Sequence, residues 1–329
     1  MNLLLGYPVT DEQRQTIAAT VPDWAITVAE PWALPDLMFD CDVFCGHARV
    51  PLDWSGVVGQ GRLKWIQSSA AGLDHCLTDS VRESEIAVSG CAGLFRDSVA
   101  EQALALLFGL ARGIPRAWQD RQSRQWVRRP TADVHEMRIG IAGFGGNGQR
   151  IAELLRPVVA RISATDVFAA ELRERPEVPA IDRLLPADQL EPMLSTSDAV
   201  IVTLPLDAGT RGLFDRAAFR SMPEGAWFVN VGRGGLVDEP ALLEAIRSKH
   251  LAGAGLDVVA TEPLPPDHPF WSTPGIMLTP HVGAQSRTRN AKVTRLFCEN
   301  LTRFLCGRRL LNLVDKTTGL VAPDDRIPR

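Results

Sequence analysis

The residues best suited to chemistry in this chain fall at the ends of short apolar runs. One run, Arg138–Ala142, leads into Gly143-Phe144-Gly145-Gly146-Asn147-Gly148, a G-x-G-x-x-G that opens the helical pattern Gln149–Leu155. In that setting the first glycine allows a tight turn, the second lets backbone approach a pyrophosphate, and the third lets helix and strand pack closely. The anion would sit on the helix N-terminus, where unpaired N–H groups and the helix dipole favour negative charge. Asp166 ends the next apolar run, where a carboxylate can accept hydrogen bonds from both ribose hydroxyls. The same carboxylate would repel a 2′-phosphate, and Val167 and Phe168 bring no compensating arginine. The expected cofactor is therefore NAD rather than NADP. Asn147 is a small departure, since such loops more often carry an apolar residue there.

Further polar residues collect at the same kind of place. Thr203-Leu204-Pro205, Asn230 to Arg233, Asp257, Glu262 and Pro280-His281 each follow an apolar run read as a strand. In an open parallel sheet, ligands bind beyond the carboxyl ends of the strands, so this gathering marks a candidate site.

The elements that must position these groups alternate between strand-like and helical patterns, the signature of a βαβ chain. In the first stretch, strands are predicted at Leu3–Gly6, Asp42–Cys45 and Leu63–Gln67, with a helix around Asp11–Ala19. A long helix is predicted over Ser98–Gly113, with Ser98 as N-cap and Glu101 as its capping-box partner. Regular alternation follows, with strands at Arg138–Ala142, Ile162–Asp166, Ala199–Thr203, Trp227–Val231, Gly255–Val258 and Ile276–Leu278. A final helix over Thr288–Leu305 runs into a polar tail at 316–329.

Length and composition bound the reading. The 329 residues suffice for two domains, and 45% apolar with 22% charged residues is ordinary for a globular chain able to bury a core. A formal charge of −4 argues against binding nucleic acid or an anionic membrane by bulk attraction. The longest apolar run, Ala103–Ala111, is far short of the roughly 20 residues of a spanning helix. Met1-Asn2-Leu3-Leu4-Leu5 lacks a basic region and reaches Asp11 too soon for a signal peptide. Six cysteines in a chain of this length, none in a CxxC pair, are no disulfide framework, so a reduced, cytoplasmic protein is expected. Cys41 and Cys45 lack partners at metal-ligand spacing and read as small buried hydrophobes.

Several motifs together resemble those of the D-isomer-specific 2-hydroxyacid dehydrogenases. Asn230-Val231-Gly232-Arg233-Gly234-Gly235-Leu236-Val237-Asp238 looks like that family's arginine signature. Ala254-Gly255-Leu256-Asp257-Val258 followed by Glu262-Pro263-Leu264 resembles its glutamate segment, and Thr279-Pro280-His281-Val282-Gly283 its histidine segment. Ser69-Ala70-Ala71-Gly72-Leu73-Asp74-His75 matches its substrate-domain loop, and Val99-Ala100-Glu101 the start of its connecting helix.

The resemblance implies an oxidoreductase moving a hydride between NAD(H) and a small D-2-hydroxy acid or 2-keto acid of the glyoxylate or hydroxypyruvate kind. It implies His281 as general acid, Glu262 as the carboxylate on its other ring nitrogen, and Arg233 as the group gripping substrate carboxylate and carbonyl. Those residue types suit the tasks: imidazole titrates near neutrality, and a guanidinium fork matches two oxygens and stays charged. Backbone N–H groups of Ala71 and Gly72 are implied to bind the carboxylate, and Asp257 the nicotinamide carboxamide. The implied cofactor contacts run through Gly143, Gly145, Gly146, Asn147, Gly148, Asp166, Thr203, Leu204, Pro205, Thr210, Val231, Gly232, Arg233, Asp257, His281 and Gly283. Specificity is expected from loops near 47–54 and 70–76, with Trp271 and Ser286. D-specificity comes from the resemblance alone.

Each residue has a plainer competitor. A lone arginine is usually a surface ion pair, and a random histidine packs more often than it catalyses. Three such residues in the family's order, each inside its own motif, outweigh those habits. His47, His75, His135, His250 and His268 lack that support and read as structural. Two alternatives share the motifs: an NAD-binding scaffold or corepressor-like sensor, and a phosphite dehydrogenase. Formate enzymes of the family carry glutamine where Glu262 stands, which disfavours that activity.

Arg112, Arg116, Arg121, Arg124, Arg128 and Arg129 form a basic stretch, which in an acidic chain reads as a solvated or subunit-contacting surface. The family dimerises through its nucleotide domain, so a homodimer is expected, with Trp118 and Trp126 either anchoring the contact or packing internally. The architecture expected is a Rossmann doubly wound domain, 99–286, and a smaller flavodoxin-like α/β substrate domain, 1–98 with 287–329. The chain would cross between them twice, which makes a natural hinge.

Overall fold

The computed structural model describes all residues except 48, 49, 180, 322–325, 328 and 329. Parts of the expected 47–54 specificity loop and of the 316–329 tail therefore lie outside the described residues. The chain divides into two compact units, Met1–Phe95 with Ser286–Arg329, and Arg96–Gln285.

The first unit is built on five parallel strands, β1 (Asn2–Gly6), β2 (Ala25–Val28), β3 (Val43–Gly46), β4 (Trp65–Ser68) and β5 (Ala87–Ser89). Their order is β2-β1-β3-β4-β5, the flavodoxin-like arrangement. The central strands β3 and β4 are buried along their whole length, as a sheet covered on both faces requires. The late helix Arg289–Leu305 packs back onto this unit. Phe297 and Phe304 stack against Trp65 with ring centroids 5.4 and 5.3 Å away. A buried polar chain reinforces the join. Trp65 Nε1 donates to Ser89 Oγ, Ser89 Oγ to Gln67 Oε1, and Asn300 Nδ2 to that same oxygen, at 2.8, 2.8 and 2.9 Å. Cys41 and Cys45 are buried as small hydrophobes, 2% and 0% exposed.

The second unit holds seven parallel strands, β6 (Arg138–Ala142), β7 (Arg161–Asp166), β8 (Arg183–Pro186), β9 (Ala199–Val202), β10 (Ala226–Asn230), β11 (Leu251–Leu256) and β12 (Ile276–Leu278). Their order is β12-β11-β10-β9-β6-β7-β8. Counted from β6, this is the 3-2-1-4-5-6 doubly wound arrangement with one strand added, and the order reverses between β6 and β9. Together the two sheets make the molecule a Rossmann-like α/β protein.

Three differences from the expected elements have physical causes. The long helix spans Arg96–Ala111, so Ser98 lies inside its first turn and is not the N-cap. It starts early because Asp97 supplies the first-turn negative charge and pairs with Arg150 at 2.8 Å. Strand β11 extends back to Leu251, although Gly253 and Gly255 obscure the pattern. A β-carbon on Gly255 would come within 2.9 Å of the Leu106 side chain, so the glycines let the long helix approach the sheet. The nucleotide-loop helix begins at Gly146, drawing Gly146, Asn147 and Gly148 into its first turn.

Candidate active site

The polar residues converge beyond the carboxyl ends of the second unit's strands. At the end of β6, Gly143 adopts φ +92°, which only glycine tolerates easily, and its N–H donates to Thr165 O at 2.9 Å. Thr203, just past β9, donates its hydroxyl to Gly143 O at 2.8 Å, so the reversal point of the sheet is closed by a hydrogen bond. A β-carbon on Gly148 would stand 2.1 Å from Gly143 O, which makes glycine obligatory there. On Gly145, the helix N-cap, a β-carbon would meet nothing within 4 Å. That open face, beside a helix N-terminus whose first N–H groups lack intrahelical partners, fits the pyrophosphate of a dinucleotide.

Asp166 ends β7 and is 9% exposed. Its Oδ2 accepts the Phe144 N–H at 2.6 Å and its Oδ1 the Phe168 N–H at 2.9 Å. It therefore braces the glycine loop from the end of the neighbouring strand. Gln149, which sequence reasoning passed over, is buried and donates to Phe144 O at 2.8 Å, closing the loop from within. The only available signal was an amide side chain directly after the third glycine.

Beyond β9, Leu204 is half-buried and Pro205 exposed. Thr210 spends its hydroxyl inside this loop, donating to Pro205 O and accepting Asp207 N–H at 2.8 and 2.9 Å. Past β10, Val231 is buried and its N–H donates to Val202 O at 3.1 Å. The fully buried Asn230 folds the next residues into a tight loop. Its Oδ1 accepts Gly232 N–H and its Nδ2 donates to Arg233 O, both at 2.9 Å. Arg233 is half-buried and donates through Nη1 to Gly232 O at 2.7 Å.

The histidine segment hangs from Asp257, which is 2% exposed. Its Oδ1 accepts from the Thr279 hydroxyl at 2.6 Å and Val282 N–H at 3.0 Å, and its Oδ2 accepts Gly283 N–H at 2.8 Å. Gln102 of the long helix donates in turn to Thr279 Oγ1 at 2.8 Å. Three of about four lone-pair sites on Asp257 are thus used within the protein, a holding task that the sequence did not reveal. His281 itself sits at φ +53°, its N–H donating to Asp257 O at 2.8 Å.

In this arrangement His281 Nδ1 lies 2.7 Å from Glu262 Oε2. Glu262 Oε1 accepts Val259 N–H at 3.2 Å. Burial opposes ionisation of Glu262, but the hydrogen bond and charge of His281, the Val259 N–H and the charge of Arg233 outweigh it. The carboxyl is held below its usual range. The result is an imidazole oriented by a carboxylate, with Nε2 as its other ring nitrogen and a guanidinium close enough to act on the same carboxylate. Such a set can pass a proton and bind an anion.

Residues 104–283 match the family model described as "D-isomer specific 2-hydroxyacid dehydrogenase, NAD binding domain". The (S)-sulfolactate dehydrogenase of Chromohalobacter salexigens is 33% identical over 250 residues, covering 74% of this chain and 78% of that protein. This chain belongs to the D-isomer-specific 2-hydroxyacid dehydrogenase family. It is an oxidoreductase that works with a nicotinamide dinucleotide. The dehydrogenase is also 32% identical over 272 residues to D-3-phosphoglycerate dehydrogenase of Archaeoglobus fulgidus, covering 82% of this chain but only half of that longer protein. Among solved structures, a D-isomer-specific 2-hydroxyacid dehydrogenase from Xanthobacter autotrophicus, in complex with NADPH and MES, superposes with TM-score 0.78. It is 25% identical and covers 97% of this dehydrogenase and 99% of its own chain.

In the first unit, the loop Ser69–His75 follows β4. Ser68 Oγ accepts Ala70 N–H at 3.0 Å and lies 3.3 Å from His75 Nε2, while Arg289 Nη2 donates to Ser69 O at 2.8 Å. Ala71 is exposed and Gly72 half-buried in this loop. His75 stacks on His47 with ring centroids 4.0 Å apart. Trp118 and Trp126, 58% and 93% exposed, do not pack internally. Among the described residues, no helix is long and apolar enough to cross a membrane.

Proposed function

We propose that this dehydrogenase interconverts a small D-2-hydroxy acid and its 2-keto acid, of the glyoxylate or hydroxypyruvate kind, with NAD(H). The observation carrying this reading is the 2.7 Å contact between His281 Nδ1 and Glu262 Oε2. With Nδ1 committed to a carboxylate, Nε2 is the nitrogen that gives a proton to the carbonyl oxygen on reduction and takes it back on oxidation. Glu262, kept ionised, favours the protonated ring. Arg233 binds the substrate carboxylate and polarises its carbonyl through the two prongs of its guanidinium. The loop carrying Ala71 and Gly72 offers backbone N–H groups for a carboxylate.

The dinucleotide, when bound, supplies or accepts the hydride. Its pyrophosphate is assigned to Gly145 through Gly148, its adenosine ribose to Asp166, and its adenosine flank to Thr203 through Pro205 with Thr210. Val231, Gly232 and Gly283 line the nicotinamide side, and Asp257 offers its remaining lone pair to the carboxamide. NAD is preferred over NADP, because a 2′-phosphate would meet the Asp166 carboxylate at the end of β7. The exposed Trp118 and Trp126, set among arginines, support a homodimer formed through this unit. Sedimentation of Trp126→Asp tests that contact, with a persistent wild-type dimer excluding Trp126 from it.

The deciding experiment is a panel of 2-keto acids assayed by NADH consumption, with NADPH in parallel and phosphite with NAD as a control. NADH-dependent reduction of a 2-keto acid is the expected result. Turnover of phosphite alone, or of nothing, overturns the reading.

A further inference from the structure

We infer that Glu239 is a positioning residue for Glu262, its single carboxylate clamping both ends of the loop that carries that glutamate. The inference rests on the reading of Glu262 and His281 given above. Glu239 is the first residue of helix Glu239–Arg247, directly after the arginine signature. Its backbone is well anchored, because the N-cap Asp238 accepts Ala241 N–H at 3.1 Å and Pro240 follows within the first turn.

One hydrogen bond and one ion-pair contact run from this carboxylate. Oε1 accepts Ala260 N–H at 2.8 Å, and Oε2 lies 3.4 Å from His268 Nε2. On its other side, His268 Nδ1 accepts Phe270 N–H at 3.3 Å. The ring proton therefore sits on Nε2, the nitrogen paired with Glu239. Ala260 precedes Glu262 and His268 follows it, so the clamp spans the loop. The Glu239 and His268 side chains are only 15% and 20% exposed. Displacement at Ala260 would pass straight to the catalytic pair, because the adjoining Val259 donates its N–H to Glu262 Oε1. Glu239 touches neither His281 nor any reacting atom. Its effect would come through where it holds Glu262.

The test compares Glu239→Ala, Glu239→Gln, His268→Ala and His268→Gln with Glu262→Gln and His281→Ala, using glyoxylate and NADH. Readouts are kcat, KM, NADH affinity by fluorescence, and the pH profile of reduction. A displacement near 1 Å can cost about 10²-fold in rate, so Glu239→Ala is expected to lose kcat on that order. Its pH limb should move down as that of Glu262→Gln does, because the field of Glu262 on His281 is weakened while Arg233 stays in place. NADH affinity should hold. Glu239→Gln keeps an acceptor for Ala260 but turns an N–H towards His268, and should fall between Ala and wild type. His268→Gln, whose amide can still donate to Glu239, should stay near wild type, and His268→Ala should not. Should Glu239→Ala fail to fold, Glu239→Gln and His268→Ala decide by the same readouts. Wild-type kcat and pH limb in the Glu239 variants, beside impaired Glu262→Gln and His281→Ala, overturn the inference and leave the proposed function standing. Loss of NADH affinity together with kcat marks a general defect and also overturns it. Wild-type turnover in Glu262→Gln and His281→Ala overturns the proposed function itself.

Discussion

Gly234 lies so close to Val259 that a β-carbon on it would stand 1.9 Å from the Val259 carbonyl carbon. The loop presenting Arg233 and the segment leading to Glu262 are thus packed backbone against backbone. The glycine after the arginine is what permits the two charged groups to share one site.

Gly234→Ala should separate those segments, since the clash is with backbone atoms that no rotamer change can relieve. A shift near 1 Å predicts a fall in kcat/KM of about 10²-fold with the protein still folded. Steady-state kinetics beside circular dichroism checks this, and wild-type kinetics would show that the backbones yield harmlessly.

His281→Ala should lower kcat by about 10²–10⁴-fold while NADH binding persists. Glu262→Gln should move the pH limb of 2-keto acid reduction downwards, because the proton-donating ring loses the anion that favours its charged form. The Glu262 carboxyl is held low in the folded protein. Its contribution is therefore present above its unfolded value and lost as pH falls through the folded one. A pH–rate profile that stays put in Glu262→Gln would remove the glutamate from the proton relay.

Legibility in the sequence followed periodicity and motif. β6 and β12 match their expected bounds, because each is a short, mainly apolar run bounded by a turn glycine, Gly143 after β6 and Gly275 before β12. β2 escaped notice, since this strand has no buried residue and so no apolar alternation. β8 is likewise only part-buried and ends in Pro186, a residue that argues against a strand except at an edge. In the site, the pairing of His281 with Glu262 was the one the resemblance implied. The tasks of Asn230, Gln149 and Glu239 and the bracing of Asp257 could not be read from the motifs, because their work is done on backbone groups whose positions only the fold supplies.

Asp166 joins two tasks, so its replacement should show two effects. Asp166→Ala removes the anion opposing a 2′-phosphate and also frees the Phe144 N–H that braces the glycine loop. The ratio of NADH to NADPH efficiency should fall, and the KM for NADH should rise. Measuring both coenzymes separates the effects: a raised KM with an unaltered ratio would reject the ribose assignment and leave only the brace.

Asn300 gives a prediction for stability rather than catalysis. Fully buried, it donates to Gln67 Oε1 and Leu311 O and accepts Leu311 N–H, tying the late helix to β4 and to the chain that follows it. Asn300→Ala leaves the Leu311 amide and carbonyl without their partner, at about 1–3 kcal/mol. Asn300→Asp should be worse, because a carboxylate there cannot donate to Leu311 O and would be desolvated as well. Urea unfolding checks the order. The first unit should lose stability in both variants, with Asp below Ala. Equal midpoints for Asn300→Ala and wild type would mean that the aromatic stack on Trp65 holds the helix without help from the polar chain.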